Sequence, residues 1–132
     1  MATIINGKEL SKKIREQVKV EVEELKKKKI FPKLAVIMVG QDPASKVYVR
    51  NKSKACNEVG IEYEEFLLDE TCSMEELLKV IENLNKRNDI HGILLQSPIP
   101  KPLDIYTAFE TIDFRKDVDG FHPINIGRLT LK

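Results

Sequence analysis

The spacing of hydrophobic residues changes along the chain, and the changes predict helices that alternate with strands. From Leu10 to Leu25 an apolar residue recurs every three or four positions, which is typical of one face of a long helix. A short apolar piece, Thr3–Ile5, precedes this stripe. Leu34–Val39 is an unbroken apolar run that ends at Gly40. A strand of this kind is covered on both faces, as in a parallel sheet between helices.

The middle of the chain contains residues that begin and end further elements. Asp42 suits an N-cap and Pro43 the first helical position, so a helix is predicted to start there and to end at Gly60. Charged and apolar residues then alternate in Ile61–Leu68, which predicts a more exposed strand.

The second half of the chain predicts another helix, another strand and a polar end. Ser73 and Glu76 have the spacing of a capping box, and a helical apolar stripe follows them. Ile90–Leu95 is a second buried strand, and the proline-rich segment after it excludes a helix. We expect a short helix at about 103–111 and an irregular tail over 112–132.

The alternation of strands and helices implies right-handed crossovers and an α/β fold. We expect a small three-layer α/β/α domain with a mostly parallel sheet. In such sheets ligands bind outside the carboxyl ends of the strands. The turn after the first buried strand, the loop after the second and the polar tail all fall there, so chemistry is expected in these three places.

Composition and charge narrow the classes of function. With 22 basic and 21 acidic residues the net charge is +1, which gives no electrostatic reason to expect a nucleic-acid or membrane partner. No apolar stretch approaches the roughly 20 residues that span a bilayer, and the first residues lack the apolar core of a signal peptide. Two separated cysteines and two isolated histidines offer no metal-ligand spacing. We expect a reduced, cytoplasmic, metal-free protein.

The helix after the first buried strand carries a candidate base. Ser45, Tyr48 and Lys52 are spaced so that they share one helix face. A lysine held in an apolar cleft loses solvation, its pKa falls, and it can then act as a neutral base. A surface lysine whose stem packs on a tyrosine has the same spacing, so the spacing leaves both interpretations open.

Two further polar sites are candidates, one directly after the second strand and one after the short helix. Gln96 ends an apolar strand, where a sheet presents a hydrogen-bonding group, although a simple strand-ending turn also explains it. Asp117 and Asp119 lie beside Gly120, a composition common in Asx turns. They lack the remaining ligands of a calcium loop, so a metal site is the weakest interpretation. An aspartate in a rigid turn also accepts hydrogen bonds from an amino-substituted heterocycle.

Three segments taken together resemble one family. SKVYVRNKSKACNEVGI resembles the Tyr-Val-x-x-Lys-x-Lys signature of the methylenetetrahydrofolate dehydrogenase/cyclohydrolase family, GILLQSPIP resembles its Gln-Leu-Pro-Leu-Pro strand exit, and KDVDGFHPINIGRL resembles its Asp-Val-Asp-Gly segment. They occur in the family's order, and the resemblance covers essentially the whole chain. One departure is Ser97, which replaces the apolar residue usual after the glutamine.

The resemblance implies a tetrahydrofolate substrate with a one-carbon bridge, and a role for each candidate residue. Lys52 would be the catalytic lysine of both half-reactions. Tyr48 would stack on the folate ring system and help to position the lysine. Gln96 would hydrogen-bond the lysine and help to hold it in its reactive state. Asp119 would bind the amino-pyrimidine edge of the pterin, and Ser45 would have a supporting role near the lysine.

The resemblance also implies two reactions and a cofactor. 5,10-Methylenetetrahydrofolate would be oxidised to the 5,10-methenyl compound with NADP or NAD, and that product would be hydrolysed to 10-formyltetrahydrofolate. No glycine-rich dinucleotide fingerprint occurs in the chain. We therefore expect residues 1–123 to be a folate-binding catalytic domain and 124–132 to start a connection to an absent NADP-binding domain. The chain would be a fragment of a longer enzyme or a stand-alone half.

Two other classes of function compete with this interpretation. A non-catalytic folate-binding or regulatory module would have no need of a lysine–glutamine pair. A receiver-like signalling domain would need a phosphoacceptor aspartate at a central strand end, where Gly40 and Gln96 stand instead. The resemblance implies a homodimer for the whole enzyme and leaves the oligomeric state of this chain open.

Overall fold

Helices and strands alternate along residues 1–132 of the computed structural model, as the hydrophobic spacing predicts. In chain order the elements are α1 (Gly7–Lys27), β1 (Lys33–Val39), α2 (Pro43–Val59), β2 (Glu62–Leu68), α3 (Met74–Lys86), β3 (Gly92–Leu95), α4 (Ile105–Thr111) and α5 (Pro123–Thr130). None of the helices combines the length and the apolar character that a membrane crossing requires.

The three strands form one sheet in the order β2-β1-β3, and both pairings are parallel. Ile37 in the central strand is paired with Phe66 on one side and with Leu95 on the other. All residues of β1 from Ala35 onward are buried, which confirms that its unbroken apolar run is covered on both faces. β2 lies at the edge and contains no fully buried residue, as its alternating glutamates predict.

Helices cover both faces of the sheet, so the predicted three layers are confirmed. Alternate residues of β1 point to opposite faces. Ala35, Ile37 and Val39 join a core with buried residues of α3 and α4, and Val36 and Met38 pack with α2. On the side of α2, α1 packs against that helix. Each fully buried leucine or isoleucine of such a core stabilises the fold by roughly 1.5–3 kcal/mol.

The predicted helix boundaries are satisfied by hydrogen bonds. Asp42 is the N-cap of α2 and accepts from the N–H of Ser45 at 2.8 Å, with Pro43 in the first turn and Gly60 as the C-cap. Ser73 accepts from the N–H of Glu76 at 3.1 Å, and the glutamate side chain accepts from the N–H of the serine, which completes the capping box of α3.

The expectation of an irregular tail is wrong for residues 123–130, which form α5. Proline is compatible with the first turn of a helix because its missing N–H has no partner there. The helix is also capped, since Nδ1 of His122 accepts from the N–H of Ile124 at 3.1 Å. The domain boundary expected between residues 123 and 124 stays a prediction.

Candidate functional site

The carboxyl ends of β1 and β3 bring together a lysine and a glutamine that are 44 residues apart in sequence. Lys52, on α2, donates a hydrogen bond from Nζ to Oε1 of Gln96 at 2.7 Å. Gln96 directly follows β3 and is held to the sheet because its backbone N–H donates to the carbonyl of Ile37 at 2.9 Å. The candidate base and the strand-end polar group therefore belong to one site.

The side-chain amide of Gln96 has one orientation that satisfies both of its contacts. Nε2 donates to the backbone carbonyl of Ser97 at 3.1 Å, so Oε1 faces Nζ of Lys52. The lysine nitrogen needs an acceptor at that position, and Nε2 carries only donors. Gln96 is 8% exposed, so it is a fixed acceptor rather than a mobile surface group. Lys52 is half-buried and keeps its other Nζ positions for a ligand.

Tyr48 lies one turn before Lys52 and forms the open side of the site. Nζ of Lys52 lies 5.9 Å from the centroid of the tyrosine ring, within the range of a cation–π interaction. The tyrosine is 59% exposed. Its ring face is therefore available to stack with a flat heterocycle. The structure confirms the shared helix face that the spacing of the two residues predicts.

Ser45 lies in the first turn of α2 and links this helix to the loop after β3. Its Oγ donates to the carbonyl of Ser97 at 3.4 Å. The hydrogen bond from its N–H is the main reason that the pKa of the Asp42 carboxyl lies below its usual value. Ser45 is 2% exposed, so it contacts the strand exit rather than the open side where Tyr48 lies.

The polar segment over residues 116–122, before α5, runs beside β3 and therefore reaches the end of the sheet where Lys52 and Gln96 lie. The N–H of Ile93 donates to the carbonyl of Lys116 at 2.8 Å, and Ile93 pairs with Asp117 in an isolated parallel bridge. The approach is close, since a Cβ on Gly92 would lie 2.6 Å from Cγ1 of Val118. Glycine at position 92 therefore allows this segment to pass the strand.

Asp119 carries a carboxylate without a protein partner. The residue is exposed as a whole. Partial burial nevertheless raises the pKa of its carboxyl above the usual value, Lys52 acts in the opposite direction, and Asp117 adds to the increase. The effect of Lys52 places both groups in one electrostatic environment. No hydrogen bond from the protein contributes, so the carboxylate of Asp119 is free to accept from a ligand.

Asp117 has a different environment, although only Val118 separates it from Asp119. Its carboxylate accepts three hydrogen bonds, from the N–H groups of Gly120 and His122 at 3.1 and 2.9 Å and from Nδ2 of Asn125 at 2.9 Å. These bonds agree with the turn interpretation. No group of three His, Cys, Asp or Glu side chains is arranged to hold a metal ion.

Lys116 is a structural residue that the sequence reasoning missed. Its Nζ donates to three carbonyls at the end of α3, those of Leu84, Asn85 and Arg87, at 3.2, 2.9 and 2.7 Å. Cations stabilise helix C-termini. No local spacing rule, however, connects this lysine with carbonyls 29 to 32 positions earlier in the chain.

The chain is similar along nearly its whole length to proteins of one family. The family described as tetrahydrofolate dehydrogenase/cyclohydrolase, catalytic domain, matches residues 5–119. The bifunctional protein FolD of Acetivibrio thermocellus is 54% identical over 130 residues, which are 98% of this chain and 46% of that protein. The chain thus spans about half the length of the curated relatives that it matches.

Solved structures of two enzymes of this kind are also similar to the chain along nearly its whole length. The crystal structure of the bifunctional enzyme FolD, a methylenetetrahydrofolate dehydrogenase/cyclohydrolase, from Campylobacter jejuni aligns with a TM-score of 0.96 at 47% identity, over 98% of this chain and 46% of that one. The Trypanosoma brucei enzyme, solved with NADP and an inhibitor, aligns with a TM-score of 0.92 at 32% identity, over 97% of this chain and 44% of that one.

Proposed function

The chain belongs to the tetrahydrofolate dehydrogenase/cyclohydrolase family, and from this premise we propose that it is the folate-binding, lysine-bearing part of an enzyme of one-carbon metabolism. That enzyme oxidises 5,10-methylenetetrahydrofolate to the 5,10-methenyl compound with NADP or NAD. It then hydrolyses the methenyl compound to 10-formyltetrahydrofolate. Both activities appear in the names of the relatives.

The hydrogen bond between Lys52 and Gln96 is the observation that carries the proposal. One N–H of Nζ is directed to Oε1 of the glutamine, which leaves the rest of the nitrogen facing the open side beside Tyr48. Glutamine fixes the nitrogen without adding a negative charge that would favour the protonated form. A fixed neutral acceptor therefore suits a lysine that takes and returns protons.

For the hydrolysis, we propose that Nζ of Lys52 takes a proton from water as the water oxygen attacks the methenyl carbon. A C–O bond forms, and the carbon becomes tetrahedral. The bond between this carbon and N5 then breaks, and N5 receives the proton from Nζ. The remaining hydroxyl proton leaves to solvent as the formyl carbonyl forms on N10. One water is consumed, one proton is released, and the lysine is restored.

Two other residues provide the folate contacts in this proposal. The exposed ring face of Tyr48 stacks on the flat ring system of the substrate. The carboxylate of Asp119 accepts from the amino group and the adjacent ring N–H of the pterin, because it has acceptor capacity and no protein donor. Both contacts orient the one-carbon bridge toward Lys52, and such positioning contributes to the rate.

The turn and helix N-terminus after β1 do not fit the phosphates of a nicotinamide nucleotide. In dinucleotide-binding α/β domains the pyrophosphate lies at a helix N-terminus after a glycine-rich turn. Here the N-terminus of α2 is occupied by the carboxylate of Asp42, which accepts from the N–H of Ser45 at 2.8 Å. A second anion would be repelled there. In the oxidation, these residues would only hold and orient the folate, and we expect no NADP- or NAD-dependent oxidation from this chain alone.

A comparison of two lysine variants on the same helix tests the proposal. The purified chain is mixed with 5,10-methenyltetrahydrofolate, and the loss of the methenyl absorbance is followed against a buffer blank. Lys52→Met should lower the hydrolysis rate, measured above the blank, about 100-fold or more, which is the usual scale for a general acid–base group. Lys46→Met, which changes an exposed lysine of α2 outside the Tyr-Val-x-x-Lys-x-Lys signature, should keep the wild-type rate.

The outcome also decides between catalysis and simple binding. If Lys52→Met hydrolyses the substrate as fast as the wild type, the lysine has no catalytic role. If the wild-type chain binds 5-formyltetrahydrofolate but hydrolyses the methenyl compound no faster than buffer, the chain is a non-catalytic folate-binding module. The two results are separated by calorimetry on the same protein sample.

A further inference from the structure

We propose that Asp117 is a positioning residue that holds the loop over residues 118–121 so that Asp119 faces the site of Lys52. This proposal rests on the proposed function, in which Asp119 binds folate. Asp117 itself touches no substrate in this arrangement. It acts through the loop, whose shape it determines.

The contacts of Asp117 span the loop that carries Asp119. Oδ1 accepts from the N–H of Gly120, on the far side of Asp119, at 3.1 Å. Oδ2 accepts from the N–H of His122 at 2.9 Å and from Nδ2 of Asn125 at 2.9 Å. One carboxylate therefore connects the start of the loop with its end and with the first turns of α5. We call this set of three hydrogen bonds the Asp117 clamp.

Both ends of the clamp are attached to the rest of the fold. On the N-terminal side, Lys116 donates to the α3 carbonyls and its own carbonyl accepts from the N–H of Ile93. On the C-terminal side, Nδ2 of Asn125 also donates to the carbonyl of Phe114 at 2.8 Å. The ring of Phe121 packs on that of Phe109 with centroids 5.0 Å apart. The clamp thus holds the loop between fixed points.

The side chains of the loop are only partly packed, although Val118 lies beside Gly92 and Phe121 packs on Phe109. Val118 is 55% exposed and Phe121 is 48% exposed. Gly120 has a φ of +74°, a left-handed conformation that is held here by its hydrogen bond to Asp117. Asp119 has no hydrogen bond to the protein. Its position therefore depends on the backbone around it, and the backbone depends on the clamp.

The chemistry of the clamp requires aspartate rather than asparagine. Three donors converge on the carboxylate, which has acceptor sites on both oxygens. Asparagine would keep one oxygen and would direct an NH₂ group at one or two of these donors. At least one N–H would then lose its acceptor. The substitution Asp117→Asn is almost isosteric, so it removes the clamp with little change of volume.

A double-mutant cycle separates positioning from general stabilisation. Affinity for 5-formyltetrahydrofolate is measured by calorimetry for the wild type, Asp117→Asn, Asp119→Ala and the double variant. We expect Asp117→Asn to weaken binding roughly tenfold in the wild type, the scale of one lost charged hydrogen bond, and less than about threefold when Asp119 is already changed. Equal factors in both backgrounds would overturn the proposal, because a residue that acts through Asp119 cannot matter once that carboxylate is absent.

A matched control and a ligand-free measurement complete the test. Asp113→Asn makes the same chemical change at a carboxylate that also accepts three hydrogen bonds, all from Arg115, and it should leave affinity unchanged. Amide hydrogen exchange should accelerate at Gly120 and His122 in Asp117→Asn. Unchanged protection of both amides would refute the clamp.

If Asp117→Asn does not fold, Asn125→Ala removes one donor from the clamp and should give a smaller loss of affinity that again disappears in the Asp119→Ala background. Persistence of that loss in both backgrounds would count against the proposal. If the wild type does not bind the folate probe, the folate assignment fails, whereas the exchange of the two amides still tests the clamp.

Discussion

Replacement of Gln96 by glutamate tests why a neutral acceptor stands beside Lys52. The side chain keeps its length and an oxygen in the position of Oε1, so Nζ keeps its acceptor at a distance near 2.7 Å. The substitution adds a negative charge and removes the donor that binds the carbonyl of Ser97. We expect the added charge to have the larger effect on activity, because it favours the protonated form of the lysine.

The expected change in the protonation of Lys52 follows from the distance between Nζ and the side-chain oxygen at position 96. Two unit charges 2.7 Å apart attract by about 1.5 kcal/mol in bulk water and by about 6 kcal/mol at an effective dielectric constant of about 20. Lys52 is half-buried, so the attraction lies between these limits. Because about 1.4 kcal/mol corresponds to a tenfold change, the fraction of neutral lysine should fall at least roughly tenfold.

The assay is the hydrolysis of 5,10-methenyltetrahydrofolate near neutral pH, with folate affinity measured in parallel. Gln96→Glu should be at least about tenfold slower than the wild type at similar affinity. Gln96→Met is the control, since it removes the acceptor without adding charge, and it should lose less. If the methionine variant loses as much as the glutamate variant, or if the glutamate variant keeps the wild-type rate, charge at this position does not control the lysine.

Three further predictions concern binding, stability and pH. Asp119→Ala should weaken the binding of 5-formyltetrahydrofolate by roughly 2–4 kcal/mol, the cost of losing a charged partner of two donors, and equal affinities in calorimetry would contradict this role. Lys116→Met should lower the free energy of unfolding by about 1–3 kcal/mol, measured in urea, because three α3 carbonyls lose their donor. Hydrogen bonds from Arg115 lower the pKa of Asp113 to about 2. The stability from this depressed pKa is complete above the unfolded value of ~3.9 and is lost as the pH falls toward about 2, so the urea midpoint should decline over that range in the wild type and less in Asp113→Asn.

Most of the fold was predictable because the decisive rules involve neighbours in sequence. The caps at Asp42 and Ser73 each depend on residues within one helical turn, and both are confirmed. The covered strand β1 follows from its unbroken apolar run. The tail was wrongly predicted to be irregular, although proline suits a first helical turn and the side chain of His122 supplies the cap.

The candidate site was predictable as a set of residue types but not as an arrangement. The spacing placed Tyr48 and Lys52 on one face, the strand end and the polar turn indicated Gln96 and Asp119, and the resemblance supplied their roles. The 2.7 Å contact between the lysine and the glutamine depends on the pairing of β1 with β3, which no local pattern determines. The clamp by Asp117 joins residues only three, five and eight positions apart, but one of its donors, Asn125, lies on α5, which the sequence did not predict.

The edge position of β2 bears on how the molecule resists aggregation. This strand is paired with β1 on one side only, and an unpaired edge is a template on which a second copy can add a strand. Glu62 and Glu65 are exposed on opposite faces of β2. Two copies that joined along this edge would bring these glutamates close to those of the other strand, and the repulsion between like charges opposes that pairing. The exposed glutamates of β2 therefore protect this open edge of the three-stranded sheet.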